Sequence, residues 1–406
     1  MAPLNPNPMT TTPYYEPLGT VNWGGLCSVD MTLACLTVQQ PHSFNPPPPT
    51  DALLADTQTH NNKTEPSGLW TLDPDAIAWM LNKYDQNDSI NTPASSTYCY
   101  RTHAFTDQAV ADAQLRQAMD DYNMIVCTLR GGGYDWVAVS GYVADATTLY
   151  GFWIEDPIPT SAHHYYDTLT YWNSVWTPVT SASPNWGGKY VFVRDDQLGN
   201  PAPRLPRGRV GPQHPPALSA ATLIDPGQAG QKAIAGARAN LLDRYPLYSA
   251  AITNGTPGKP LLVHRADLGP SYYYLVPLVA HGADPNGDPA KTPVLGAIAI
   301  DGVSGELMTA FASDQPAALF SISLDDARQT LIAQGFPLPD PQLGRVMVPG
   351  STVVLTPLLV HSDIAGSNIF RPFYQAVSGA YVAYVNSATG LVVSTLQRPT
   401  KILLGN

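Results

Sequence analysis

The 406-residue chain is poor in charge: Asp, Glu, Lys and Arg make up 13% of it, about half the usual share of a soluble chain. What charge there is leans acidic, with 32 carboxylates against 21 basic side chains and a formal net charge of -11. That balance gives no footprint for a phosphate backbone, so nucleic acid is not an expected partner. Cysteine is also scarce. The four thiols, Cys27, Cys35, Cys99 and Cys127, include no CxxC pair and no His/Cys cluster at zinc spacing, which excludes a structural zinc site and a disulfide framework, while a single bridge from Cys99 to Cys127 stays open. No apolar run approaches the roughly 18 residues needed to span a bilayer, and Met1 to Leu18 has neither a basic nor an apolar signal region. The expectation is a chain with no membrane span and the cytoplasm as its default compartment. No pattern calls for a cofactor or a metal.

Hydrophobic residues are abundant, at 44%, and the length suggests two or three domains. Proline marks the division. Residues 201–216, PAPRLPRGRVGPQHPP, hold six prolines and three arginines, a composition that favours an extended connector. Domains are therefore expected at 15–196, 218–315 and 316–406, with 197–217 as linker. The run Pro46–Pro49 reads as a loop inside the first domain.

In the first domain, periodicity predicts helices over Ser28–Thr37, Asp73–Lys83 and Asp107–Asp121. Strands are expected over Ile125–Leu129, Trp136–Tyr142, Leu149–Ile154 and Tyr190–Val193. Helices first and antiparallel strands later is an α+β order. Beyond the linker one pattern occurs twice. A helix over Gly227–Arg244, a strand over Tyr272–Val279 and a hairpin over Ala297–Met308 are matched by a helix over Leu324–Gln334, a strand over Phe370–Val377 and a hairpin over Ala383–Val393. Asp301 and Gly305 correspond to Asn386 and Gly390, at the spacing of a short turn closed by glycine.

The chemistry concentrates in the first domain. Asn22–Leu36, NWGGLCSVDMTLACL, sets Cys27 after a Gly-Gly bend and at the first turn of an apolar helix, where backbone amides and the macrodipole favour a thiolate. Asn22 is placed to donate to an oxyanion, and Cys35 falls on the same helical face as core. Downstream, Gly131–Val143, GGGYDWVAVSGYV, feeds a glycine turn into a strand, and Leu149–Pro157, LYGFWIEDP, closes a second strand on Asp156-Pro157.

A cysteine at a helix start, a strand opening in a polar residue followed by WVxVxG, and a strand closing in Asp-Pro together resemble the C39-like branch of papain-fold cysteine peptidases. The resemblance implies that Cys27 is the nucleophile, Asp156 the orienting acid, Asn22 the oxyanion donor, and Asp135 the occupant of the catalytic histidine's place. A carboxylate there is a weak base toward a thiol and its charge opposes thiolate formation, so a degenerate peptidase homologue that binds a peptide or protein segment is expected. Rescue by another histidine would have to come from His42, His60, His103, His163 or His164. Adjacent strand residues face opposite sides, so at most one of His163 and His164 points inward. The second half resembles two PepSY-like repeats, which implies a regulatory or partner-binding role; His264, His281 and His361 are isolated there. An active thiol hydrolase or acyltransferase with an unusual base, and a structural or assembly protein, are the alternatives.

Overall fold

The computed structural model describes residues 28, 29, 32, 50–66, 69–84, 100–122, 126–131, 133, 135–144, 148–156, 164–196, 223–265, 271–334, 336–340, 344–348, 354–361, 369–378, 381–390 and 392–393. It mixes helices and strands, as an α+β reading requires. The described residues fall into two compact units, one ending at Asp196 and the other starting at Leu223. The expected linker, 197–217, and the Pro46–Pro49 loop lie outside the described residues.

In the first unit, α1 (Asp51–Gln58) and α2 (Pro74–Tyr84) precede β1 (Tyr100–Phe105) and α3 (Gln108–Tyr122). Then follow β2 (Val126–Arg130), β3 (Asp135–Ala144), β4 (Leu149–Glu155), β5 (His164–Thr168), α4 (Leu169–Val175) and β6 (Tyr190–Asp195). The strands form an antiparallel sheet in the order β1-β6-β2-β3-β4-β5. Side chains alternate between its faces. One face carries Cys127, Leu129, Trp136, Val191 and Val193 against Val29 and the buried side of α2. The other carries Phe152 and Phe192, with Trp172 of α4 packed on Phe152 and Trp176 on Phe192.

Local chemistry fixes the helix starts. Asp73 precedes Pro74 and accepts from the Ala76 amide at 2.9 Å, so it caps α2 while proline opens the first turn. Thr50 does the same for α1, accepting from Leu53 N at 3.0 Å. Helix α1 is an addition to the sequence-based expectation. Its short amphipathic stretch follows a proline run that hides the start signal.

The second unit runs α5 (Pro226–Ala239), a 3-10 turn (Leu242–Arg244), α6 (Pro246–Asn254), β7 (Thr256–Pro257), β8 (Leu261–Arg265), β9 (Ser271–Val279), β10 (Pro293–Asp301), β11 (Leu307–Ala318) and α7 (Leu324–Gln334). Strands β12 (Phe336–Asp340), β13 (Gly344–Val348), β14 (Val354–His361), β15 (Phe373–Ser378), β16 (Tyr381–Asn386) and β17 (Val392–Val393) follow. The single helix expected over Gly227–Arg244 stops early, because Leu241 adopts a left-handed φ of 63° and Pro246 opens a separate helix. The strand expected from Phe370 begins at Phe373.

The sheet order β11-β10-β9-β8-β14-β15-β16-β17 is mirrored about the parallel pair β8 and β14. The same hydrogen bonds recur on both sides. Tyr274 Oη donates to Ile224 O just before α5, and Tyr374 Oη donates to Ile322 O just before α7. Gly302 N donates to Tyr272 O and Ser387 N to Pro372 O; Ile224 N donates to Gly302 O and Ile322 N to Ser387 O. In the hairpins, Asp301 Oδ1 accepts from the amides of Val303 and Ser304, as Asn386 Oδ1 accepts from Ala388 and Thr389. Gly305 and Gly390 close the turns at φ of 73° and 71°, a region costly for any side chain.

One buried acid gives the fold a pH signature. Asp112 of α3 accepts from Trp172 Nε1 at 3.2 Å, and burial, with Asp107 adding, pushes its carboxyl from 3.8 up to about 7. An acid whose folded value exceeds its unfolded one holds its proton better in the fold, so its ionisation costs stability as pH rises through that interval. Asp112→Asn, which keeps an acceptor for Trp172, is expected to stabilise the protein by on the order of a few kcal/mol at pH 8 and to have little effect at pH 4. Urea midpoints at both pH values check this.

Candidate functional site

Cys27 and Asn22 lie outside the described residues, as do Cys35, Cys99, His42 and His163. The helical residues that follow Cys27 are placed. Ser28 is fully buried, and its hydroxyl donates to the Trp136 carbonyl at 2.7 Å. Thr32 Oγ1 donates to Ser28 O at 2.7 Å and sits 3.1 Å from Cys127 Sγ. This turn therefore packs on β2 and β3, on the face that carries Cys127. Cys127 is a free thiol, and burial pushes it up to about 12 despite the Thr32 contact, so it stays protonated and inert.

The register shows which residues share that face. Cys127 is opposite Ala138, Ala138 opposite Glu155, and Glu155 opposite His164. These four form one row across β2, β3, β4 and β5, and Ser28 and Thr32 pack over its β2 and β3 end.

Asp135 and Asp156 lie on the other face. They are brought together, as the sequence suggests for an acid pair, but around a cation that the sequence reading missed. Arg130, 7% exposed, ends β2 directly opposite Asp135. Its Nε donates to Asp135 Oδ2 at 2.7 Å and its Nη2 to Asp156 Oδ2 at 2.7 Å, while Nη1 lies 3.9 Å from Asp167 Oδ2. Tyr165 Oη donates to the same Asp156 oxygen at 2.8 Å. Burial alone would lower the guanidinium, but Tyr165, Asp135, Asp156 and Asp167 hold it well above its ordinary value, so it stays charged. Burial, with Asp156 adding, pushes the Asp135 carboxyl up to about 6 against the pull of Arg130. Asp135 is thus a partner in an ion cluster, facing away from Ser28 and Thr32. The Asp156 carboxylate accepts from a guanidinium and a phenol.

Glu155 and His164 were not paired in the sequence reading. Glu155 is fully buried, and its Oε1 is 2.5 Å from His164 Nδ1. The imidazole stacks on Trp153, with centroids 5.5 Å apart and planes 10° from parallel. The signal was in the sequence: in Trp153-Ile154-Glu155-Asp156, adjacent acids on one strand must serve opposite faces. The other described histidines of this unit are engaged elsewhere. His103 meets Asp196 at 2.8 Å, and His60 stacks on Trp79.

Among the described residues no helix is long and apolar enough to cross a membrane, and no group of three or more His, Cys, Asp or Glu could hold a metal ion. In comparisons with known proteins, the chain matches no family model, no curated sequence and no solved structure.

Arg130→Met would leave the carboxylates of Asp135, Asp156 and Asp167 without their counter-charge. Loss of one partner from a buried pair costs roughly 3–5 kcal/mol. That loss is expected at pH 7.5 and should shrink as pH falls below about 6, where Asp135 protonates. Thermal unfolding at the two pH values measures it.

Proposed function

We propose that the first unit is a papain-like, C39-like cysteine-peptidase homologue that binds a peptide or protein segment. In this reading Cys27 holds the nucleophile position, and the family's histidine place, Asp135, has left catalysis. The observation that carries it is the engagement of Asp135 by Arg130 on the face opposite Ser28 and Thr32. A carboxylate committed to a buried guanidinium offers little basicity to a thiol. The antiparallel sheet, with a helical turn after Cys27 seated on its central strands, supports the papain-like reading.

The second unit is read as two PepSY-like repeats that bind a partner or restrain the first unit. The recurrent Asp301 and Asn386 hairpins support this. So does a cleft of about 310 Å³ lined by Lys259, Pro277, Pro289, Phe320, Leu324 and Tyr374, whose proline and aromatic surfaces suit an extended peptide.

A second reading, a thiol hydrolase or acyltransferase with an unusual base, is favoured by one observation: the imidazole of His164 lies on the same sheet face as Ser28 and Thr32.

Asp135→His separates the proposal from a simple loss of the family base. Peptidase activity toward a casein digest is expected to stay absent in this variant, because the new imidazole would face Arg130. Restored cleavage would contradict the placement. Binding of fluorescein-labelled casein peptides, read by anisotropy, is expected in the parent and should fall at least about tenfold in Ser28→Trp, which crowds the turn next to Cys27. No binding in the parent would overturn the peptide-binding reading.

A further inference from the structure

The first sheet ends on β1, and one side of that strand is open. Among the described residues of the first unit β1 pairs only with β6, in an unbroken register from Tyr100 opposite Asp195 to Phe105 opposite Tyr190. One contact shows which backbone groups face outward. The side chain of Asn82 on α2 meets the Tyr100 backbone, its Oδ1 accepting from the amide at 2.8 Å and its Nδ2 donating to the carbonyl at 2.9 Å. Tyr100 therefore turns its backbone away from β6, and in an antiparallel ladder the residues two and four further on do the same. Those are Thr102 and Ala104, whose amides and carbonyls have no hydrogen-bond partner among the described residues.

Exposed edges are commonly blunted by proline, a bulge or a covering element. Tyr100–Phe105, YRTHAF, has no proline, its pairing has no bulge, and Asn82 seals only the Tyr100 end. From Arg101 to Phe105 the strand offers two donors and two acceptors at the spacing that an added strand needs.

The edge side chains state what the guest should carry. Arg101, His103 and Phe105 share one face. Arg101 is exposed and lies directly opposite Arg194, a like-charge pair that is unfavourable across a ladder. Asp196 is already shared by Arg194 Nε at 3.1 Å and His103 Nε2 at 2.8 Å, and Arg101 makes no ion pair with a described residue. A carboxylate on a strand outside β1 would answer the excess positive charge. Phe105, half-buried, stacks on Phe192 with centroids 5.6 Å apart, and an apolar ring opposite it would cover its outer side.

We propose that the outer edge of β1 takes an extended peptide as a further strand of the first sheet, selecting an aromatic residue opposite Phe105 and, four residues later, a carboxylate opposite Arg101. The order follows from direction, since every described pair of strands in the first unit is antiparallel and the guest runs against β1. The proposal rests on the reading of the first unit as peptide-binding and gives that reading a place.

The test is fluorescence anisotropy of the full chain with fluorescein-labelled peptides, GFTVTEG and its lysine counterpart GFTVTKG. The acidic peptide is expected to bind at least about fivefold more tightly, because it exchanges repulsion for attraction at an exposed pair. N-methylation of both its threonines, whose amides would donate to the Ala104 and Thr102 carbonyls, should weaken binding at least about tenfold. N-methylation of its valine, whose amide faces away from β1, should change it little. Arg101→Glu should reverse the preference between the two peptides, and Ala104→Pro, which removes an outward amide and no bond to β6, should abolish binding of GFTVTEG. Circular dichroism checks the fold, and if Ala104→Pro does not fold the methylated peptides decide. Binding that survives methylation of the threonines, or a preference that Arg101→Glu leaves in place, overturns the proposal. Failure of GFTVTEG to bind a chain that binds casein peptides overturns the proposal alone, and failure of both overturns the peptide-binding reading with it.

Discussion

A buried guanidinium must be answered by carboxylates, and in the first unit that requirement decides what Asp135 and Asp156 are for. Arg130 ends β2 with almost no access to water. Leaving it unpaired there would cost several kcal/mol. The structure meets the need with Asp135 directly across the ladder, Asp156 at the end of β4 and Asp167 on β5, and Tyr165 steadies Asp156 from the side. Burial, with the negative charge of Asp156 adding, is what lifts Asp135 against the pull of Arg130. The cluster ties the ends of three strands together. It is a structural knot, and its members are not available as proton carriers to the opposite face.

That separation follows from the two-residue period of a strand. Glu155 and Asp156 are neighbours in sequence, yet one joins His164 on the face that carries Cys127 while the other joins Arg130 on the far side. The sheet thus holds two polar systems, one on each face. The Arg130 side is an ion cluster around one buried guanidinium, and the Glu155 side holds an imidazole fixed through its Nδ1. The second sets a buried carboxylate behind an imidazole that stacks on Trp153. The fully buried Cys127 sits in the same row, and burial alone keeps its thiol protonated.

Much of the fold was legible in the sequence, and the reasons are local. Helix α2 announces itself through Asp73-Pro74 and a regular apolar stripe, and β3 and β4 through alternation bounded by glycine turns. The hairpins at Asp301 and Asn386 are readable because their side-chain caps and closing glycines leave few other conformations. Leu241 was unreadable: a left-handed leucine breaks a helix that its neighbours would extend. At the candidate site, the acids at Asp135 and Asp156 were correctly associated with one another. Their sheet face was not legible, because a motif match specifies spacing along the chain and says nothing of which side of the sheet a residue enters. Arg130 escaped notice as an ordinary basic residue before a glycine turn, although the antiparallel register places it opposite Asp135.

The second unit repeats one arrangement about the β8 and β14 pair, down to the tyrosine that fastens each helix start. The central claim for the chain concerns the first sheet, that Ser28 and Thr32 share one face with the Glu155–His164 pair and the Arg130 cluster occupies the other. The most direct test is a nitroxide attached to Cys27, with Cys35 and Cys99 replaced by serine, and paramagnetic broadening read at the histidine ring protons by NMR. The account predicts that His164 is broadened beyond detection while His103, which stacks on Phe192 on the opposite face, is spared. A sharp His164 signal beside a broadened His103 would contradict it.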